Sequence, residues 1–300
     1  MTTTYLKLLV TMTVWGGTWV AARVVVQEVE PLAAATWRFF FSAVSLAMLV
    51  FWAHGGLPRL TRRELVYVLA LGTSGIFLYN ICFLIGMQTL AAGHGALVVA
   101  LNPVMVTLGA WWLLGEAMTP AKAVGSAIGL AGCLTVIGNG SPLTPLSGEV
   151  GRGDLLILAC AVLWAAYTLI SRKAMRTLSP LVSTAYASMA GWLMLLVTTL
   201  IAAPASLAPN YAPVSWAAIL FLGLLGTTLG FTWFSQAVKR IGAARASIFI
   251  NLVPLAAVLQ GAWLLDERLG LPVLVGGLLV LAGVTLTQLQ PNFLSRQVSP

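Results

Sequence analysis

Charged residues are scarce in this chain, and so are the residues that build metal sites and disulfides. Only 8% of the 300 residues are Asp, Glu, Lys or Arg, against about a quarter in an ordinary soluble domain. Cys82, Cys133 and Cys160 are odd in number and lie within apolar segments, so we expect them to act as small apolar side chains. The shortage of charge excludes a soluble domain, and we expect no metal and no other cofactor.

Long apolar segments take up nearly the whole sequence instead. Most approach the length of about 20 residues that a helix needs to cross a bilayer, and none shows the alternating polarity of a barrel strand. The predicted fold class is therefore an all-α integral membrane protein with ten transmembrane helices. The predicted spans are Leu6–Val26, Leu32–Ala53, Leu65–Gly86, Gly95–Leu114, Ala123–Ile137, Leu155–Ile170, Leu181–Ala203, Val214–Val238, Ala243–Leu265 and Val273–Leu289.

The basic residues are distributed unequally between the two sides of the predicted bundle. Ten spans place 12 of the 16 Lys and Arg residues on the side of the termini. The opposite side has four, which are Arg23, Arg38, Arg152 and Arg268. By the positive-inside rule we predict that both termini lie in the cytoplasm. The net charge of +8 then needs no nucleic acid partner.

The second half of the chain repeats the first. At an offset of 149 residues Trp15 aligns with Trp164 and Arg23 with Arg172, and at 151 residues Glu116 aligns with Glu267. We predict a five-helix repeat at 1–138, a linker at 139–153, a second five-helix repeat at 154–290 and a cytoplasmic tail at 291–300. Because five is an odd number, the two repeats must have inverted topologies. Inverted repeats are typical of secondary carriers, in which two equivalent halves enclose a central site.

Several motifs resemble one family. Trp-Gly-Gly in the first span, Asn-Pro in the fourth, Trp112–Glu116 (Trp-Leu-Leu-Gly-Glu) and its echo Trp263–Glu267 (Trp-Leu-Leu-Asp-Glu) resemble the drug/metabolite transporter superfamily, EamA type. The resemblance covers essentially the entire chain and implies a multi-pass protein of the bacterial inner membrane. The aromatic-rich first, third and sixth spans are similar to YddG-like bacterial exporters of aromatic and other neutral amino acids.

The resemblance implies a basket of helices around a central cavity, with the fifth and tenth helices packed at one edge. Small residues at helix contacts let backbones approach closely. We expect this role for glycines of the fifth and tenth spans, namely Gly125, Gly129, Gly132, Gly276 and Gly283.

Aromatic residues at mid-depth are candidates for the substrate-binding walls. Trp15 and Trp164 are repeat partners near the middle of their helices, and we place both at the cavity. The other candidate aromatic residues are Trp19, Tyr79, Phe83 and Trp233. Each of them is also compatible with contact to lipid.

Polar groups inside the spans are candidates for substrate contacts, gates and hinges. An unpaired amide in a membrane costs several kcal/mol, so Asn80, Gln88, Asn102, Gln236 and Asn251 are predicted to face the bundle interior. Asn102 and Asn251 are predicted to contact substrate or to satisfy the carbonyls freed by the neighbouring Pro103 and Pro254, which are predicted hinges. Arg38 either binds a carboxylate or extends to the headgroups. His94 is predicted to be a cap or gate, with a protonation role as the alternative.

All eight acidic residues lie in loops or within about a turn of a helix end. Proton-coupled carriers usually have an ionisable group deep in the membrane. We therefore predict an uncoupled facilitator that exports aromatic and other neutral amino acids by alternating access. The alternative is efflux of hydrophobic drugs or other small metabolites, with or without proton coupling.

An enzyme or a sensor is the rival class of function. The sequence has no paired intramembrane carboxylates, no nucleophile motif and no metal cluster, so we predict that the protein is not an enzyme. The expected partners are the lipid bilayer and a small-molecule substrate such as an amino acid. We expect a monomer, with a dimer left open.

Overall fold

The structure is a computed structural model that describes residues 2–147, 150–241, 246 and 249–288. All regular secondary structure in these ranges is helical, which confirms the all-α prediction. We number the spans α1 Thr2–Val25, α2 Pro31–His54, α3 Arg62–Met87, α4 Ala92–Leu114, α5 Pro120–Ile137, α6 Arg152–Ala174, α7 Pro180–Ala202, α8 Pro213–Val238, α9 Phe249–Leu265 and α10 Leu271–Gln288.

Nine of these described helices are long and apolar enough to cross a membrane, and α9 is a shorter apolar helix. Most of the first residues predicted for the ninth span, 243–245 and 247–248, lie outside the described residues, as do linker residues 148–149 and the tail at 291–300. Two groups of loops lie at opposite ends of the bundle. We call the end with residues 26–30, 88–91, 203–212 and 266–270 the linker side, and the end with the N terminus and residues 55–61, 115–119 and 175–179 the terminal side.

Most helices begin one to four residues before the predicted apolar runs, and capping residues and prolines account for several of these earlier starts. In α3, the side chain of Thr61 accepts a hydrogen bond from the Glu64 amide and Glu64 bonds back, so the helix begins at Arg62 instead of Leu65. Proline occupies the first helical position of α2, α5, α7 and α8, where its missing N–H costs nothing. Hydropathy therefore indicates the apolar middle of each span and misses its capped ends.

Helices α5 and α10 pack backbone against backbone through glycine. A Cβ atom on Gly283 would lie 2.4 Å from the Gly129 nitrogen, and one on Gly132 would lie 2.6 Å from the Val280 nitrogen. Gly125 and Gly276 make similar approaches. The predicted role of these five glycines is confirmed. Helices α2 and α7 form a second contact between the halves, in which Thr36 and Thr199 share a buried hydrogen bond of 2.8 Å.

Candidate functional site

Four helices depart from regular α geometry, in corresponding places of the two halves. In α3 a π-helical segment covers Gly72–Leu78, and in α8 one covers Phe221–Leu229. The starts of these segments are 149 residues apart, which is the offset of the sequence repeat. π-Helical segments are frequent at functional sites because they turn side chains out of the regular register. They thus single out the centres of α3 and α8.

Helices α4 and α9 are interrupted near their prolines. Regular helix in α4 stops at Val99 and resumes at Asn102, immediately before Pro103. In α9 a 3-10 turn at Phe249–Asn251 precedes the helix that contains Pro254. Interrupted helices in matching positions of two inverted halves are the strongest structural indication of a carrier's binding site.

Aromatic rings from four helices meet between these interruptions. Ring centroids are 5.7 Å apart for Trp15 and Phe231, 6.2 Å for Phe231 and Trp164, and 5.5 Å for Trp164 and Tyr79. Phe83 continues the series beside Tyr79. We call these five residues the aromatic cluster. It joins α1 and α3 of the first half to α6 and α8 of the second, and only Phe231 among its members was not predicted.

The two tryptophans of the aromatic cluster differ in what holds them. The Trp15 indole N–H donates to the Gly226 carbonyl of the π-helical segment at 2.8 Å. Trp164 packs against Tyr167 as well as Tyr79. Both side chains are half-buried. Trp15 is therefore fixed to α8 by a hydrogen bond, whereas Trp164 is held by ring contacts.

Arg38 lies inside the bundle beside the aromatic cluster. Its guanidinium donates to Asn80 Oδ1 at 2.8 Å and lies 5.9 Å from the Phe83 ring centroid. Among the residues that the structure describes, no carboxylate lies within 4.0 Å of it, and its buried Nε has no hydrogen-bond partner. The structure directs this side chain toward the buried Asn80 of α3. Such a charge favours an anionic ligand.

The predicted amides divide into an interior group and an exposed group. Asn80 is buried and donates to the Ile76 carbonyl, and Asn102 is half-buried with an oxygen that has no partner in the structure. Asn251 is half-buried at the junction in α9. Gln88 and Gln236 are exposed at helix ends, so their predicted interior position is wrong. The unsatisfied Asn102 oxygen is an acceptor at the break in α4.

Two of the predicted aromatic residues lie outside the aromatic cluster. Trp233 packs under the Lys7 ammonium at the terminal side, 5.2 Å from ring centroid to nitrogen. Trp19 is 5% exposed and meets Phe83, which is itself 2% exposed, edge-on within the core. Trp19 therefore packs behind the aromatic cluster together with the buried Phe83 ring, and Trp233 lies in a different region.

His94 has a partner that the sequence did not reveal. Its Nε2 lies 2.8 Å from Asp154 Oδ1, and both residues are buried. His94 is in the first turn of α4 and Asp154 in the first turn of α6. The pair joins the two halves near the linker side. Asp154 was expected at a helix end, as observed, but not in a buried contact.

Comparisons with known proteins agree with this geometry. The EamA-like transporter family model matches residues 2–138 and again 151–289. The "Uncharacterized transporter YyaM" of Bacillus subtilis is 31% identical over 274 residues, 90% of this chain and 88% of that protein. The chain therefore belongs to the EamA-like transporter family, and it is a multi-span membrane transporter of the drug/metabolite superfamily.

The names of two relatives mention amino acids. The "Probable terminal-alkyne amino-acid exporter" of Streptantibioticus cattleyicolor is 29% identical, over 93% of this chain and 91% of that protein. The "Aromatic amino acid exporter YddG" of Ancylobacter novellus is 26% identical, over 56% of this chain and 57% of that protein. A solved structure with 20% identity superposes with a TM-score of 0.66 and covers 99% of both chains, which shows a shared fold.

Proposed function

We propose that this protein exports aromatic and other neutral amino acids across the bacterial inner membrane, as an uncoupled facilitator working by alternating access. The observation that carries the proposal is Arg38, a cation inside the bundle with no acidic partner among the described residues. A buried charge without a partner is costly, and a substrate carboxylate would supply the missing contact.

The surroundings of Arg38 suit the rest of such a substrate. Tyr79 and Trp164 offer ring faces and edges to an apolar or aromatic side chain, with the buried Phe83 packed beside Tyr79. A second candidate contact lies at the break in α4, where the unsatisfied Asn102 oxygen would accept a hydrogen bond from the substrate ammonium. Amino-acid exporters among the relatives support the same substrate class.

The proposed orientation and the alternating-access mechanism rest on the topology. With 12 of the 16 basic residues on the terminal side, that side would be cytoplasmic. The two repeats, at 1–138 and 154–290, would enclose the aromatic cluster and expose it alternately to each side. The break in α4 at Pro103 and the junction before Pro254 in α9 would act as hinges.

Substrate flux in liposomes tests the carboxylate contact. Wild type should transport tryptophan and phenylalanine, and it should not transport tryptamine, which lacks the carboxylate. Arg38→Gln should reduce amino acid transport by at least tenfold, because a hydrogen bond to a charged group contributes about 1.5–3 kcal/mol. Arg268→Gln, an exposed position, is the control. Equal flux of tryptophan and tryptamine through wild type would contradict the proposal.

Proton-coupled efflux of other metabolites is the second candidate function, and the His94–Asp154 pair favours it. Buried histidine and carboxylate side chains in membrane proteins often take part in proton transfer. If His94 and Asp154 couple transport to protons, an imposed pH gradient should drive accumulation in liposomes, and Asp154→Asn should abolish that accumulation while leaving exchange intact.

A further inference from the structure

The two Trp-Leu-Leu motifs fold into the same helix ending. Gly115 and Asp266 follow the last turns of α4 and α9, and both have left-handed backbones, with φ of 67° and 50°. The next amide, of Glu116 or Glu267, donates to the carbonyl six residues earlier, at 3.2 Å in both cases. In both helices a left-handed residue therefore ends the last turn, as is common at helix C-termini. This ending presents one glutamate at the end of each helix, on opposite sides of the bundle.

The sequence repeat indicates an arginine partner for each of these glutamates. On the terminal side Glu116 forms an ion pair with Arg172, with 2.9 Å between oxygen and nitrogen. The repeat relates Glu116 to Glu267 and Arg172 to Arg23. The equivalent pair on the linker side is therefore Arg23 with Glu267. Each pair would join the end of one helix to the end of another helix in the opposite half.

The linker-side pair is open in this structure. No ion pair between Arg23 and Glu267 occurs among the described contacts, and both residues line a cavity of about 460 Å³. Arg23 donates instead to the carbonyls of Met87 and Gln88, at 2.9 and 2.6 Å. Glu267 accepts from the Ala92 amide at 2.8 Å. One ion pair is closed while its repeat partner is separated by a cavity.

We propose that Glu116–Arg172 and Arg23–Glu267 are alternating gates, so that one ion pair is formed in each of the two states of the carrier. Arg23 and Glu267 both bond to the short connection between α3 and α4, at residues 87–92. A small movement of this connection would release them toward each other. Closing the cavity brings the unlike charges together and removes water, which strengthens their attraction. In the opposite state, opening of the terminal side would separate Glu116 from Arg172.

The inference rests on the proposed alternating access, but its test needs no substrate. Leu169 is buried near the terminal side, where its side chain contacts Gly109 across α4 and α6. In a background with the native cysteines replaced by alanine, Leu169→Cys reports opening of that side through its labelling rate with a polar maleimide. Val24→Cys, at the wall of the linker-side cavity, reports the opposite state.

Removing the charge of one gate glutamate should shift the equilibrium between the two states of the carrier. The side of the bundle on which that glutamate lies sets the direction of the shift. Glu116→Gln should raise labelling at Leu169→Cys by about two- to fivefold, the effect of a partly exposed ion pair. Adding Glu267→Gln should return the rate toward its starting value, because it weakens the opposing gate and its amide oxygen can still accept from Ala92. Adding Glu28→Gln instead is the control, since Glu28 lines the same cavity but bonds to Ala212 and Ser215.

The possible outcomes distinguish a failure of the proposed gates from a failure of the proposed transport function. Compensation by Glu267→Gln and none by Glu28→Gln would support the alternating gates, with Val24→Cys labelling changing in the opposite direction. An unchanged rate in Glu116→Gln, or equal compensation by both second substitutions, would overturn them. A lack of amino acid flux in liposomes would instead overturn the proposed function, whatever the labelling result.

Discussion

Trp15 and Trp164 are repeat partners with different attachments, so their substitutions should have different effects. Trp164→Ala removes only ring contacts and should lower transport of tryptophan and phenylalanine more than that of alanine, by about tenfold, because it removes stacking area. Trp15→Phe keeps a ring but loses the bond to Gly226, so it should slow all substrates alike. Initial flux rates in liposomes measure both effects. Equal losses for alanine and tryptophan in Trp164→Ala would contradict the ring contact.

The buried pair of His94 and Asp154 should contribute to stability. Asp154→Ala leaves the imidazole without its partner and should cost about 1–3 kcal/mol. Asp154→Asn should cost less, because its amide oxygen still accepts a hydrogen bond. The midpoint of thermal unfolding in detergent measures both variants. An Asp154→Ala protein as stable as wild type would show that the contact is not maintained in solution.

At the scale of single residues, the sequence predicted which residue types form the site better than it predicted their contacts. Trp15, Tyr79, Phe83 and Trp164 were recognised from their mid-depth positions, and they do meet. Asp154 was missed because an acidic residue in the first turn of a helix is ordinary, where it faces the positive end of the dipole. The inward direction of Arg38 was left open, although Ser42 and Ser45 follow it at helical spacing and both bond to α8 in the structure.

Among the elements, the α5–α10 pair is the one most sensitive to added volume. Gly283→Ala should destabilise the protein by about 1–3 kcal/mol, because the new methyl group meets backbone atoms that have little room to move. Gly56→Ala is the control, since no atom lies within 4 Å of the position its Cβ would take. Thermal unfolding midpoints in detergent compare them. An unchanged midpoint for Gly283→Ala would contradict the close approach of the two backbones.

The irregular elements were only partly predictable. Pro103 and Pro254 marked the interruptions of α4 and α9, because proline removes a backbone donor in any sequence. The π-helical segments of α3 and α8 contain no proline. Each has two glycines three residues apart, Gly72 and Gly75 or Gly223 and Gly226, but glycine is frequent in transmembrane helices and does not by itself predict a π-helix. Their geometry depends on packing against other spans, such as the approach of Gly75 to the Tyr167 ring, which a single sequence does not record.

At the scale of the whole molecule, two inverted halves enclose a half-buried arginine, Arg38, and a set of aromatic rings. The repeat was visible in the sequence because Trp, Pro, Arg and Glu recur at a nearly constant offset. The same offset relates the π-helical segments, the interrupted helices and the two glutamate endings. This repetition is what gives a carrier two equivalent states with one shared site.

Counterflow in liposomes tests the central claim most directly. Liposomes containing the purified protein are loaded with unlabelled tryptophan, and uptake of labelled tryptophan is followed with and without an imposed pH gradient. The account predicts transient uptake in wild type, its loss in Arg38→Gln, and no lasting accumulation under the pH gradient. Sustained accumulation that follows the pH gradient, or wild-type liposomes that exchange no neutral amino acid, would contradict an uncoupled amino acid facilitator.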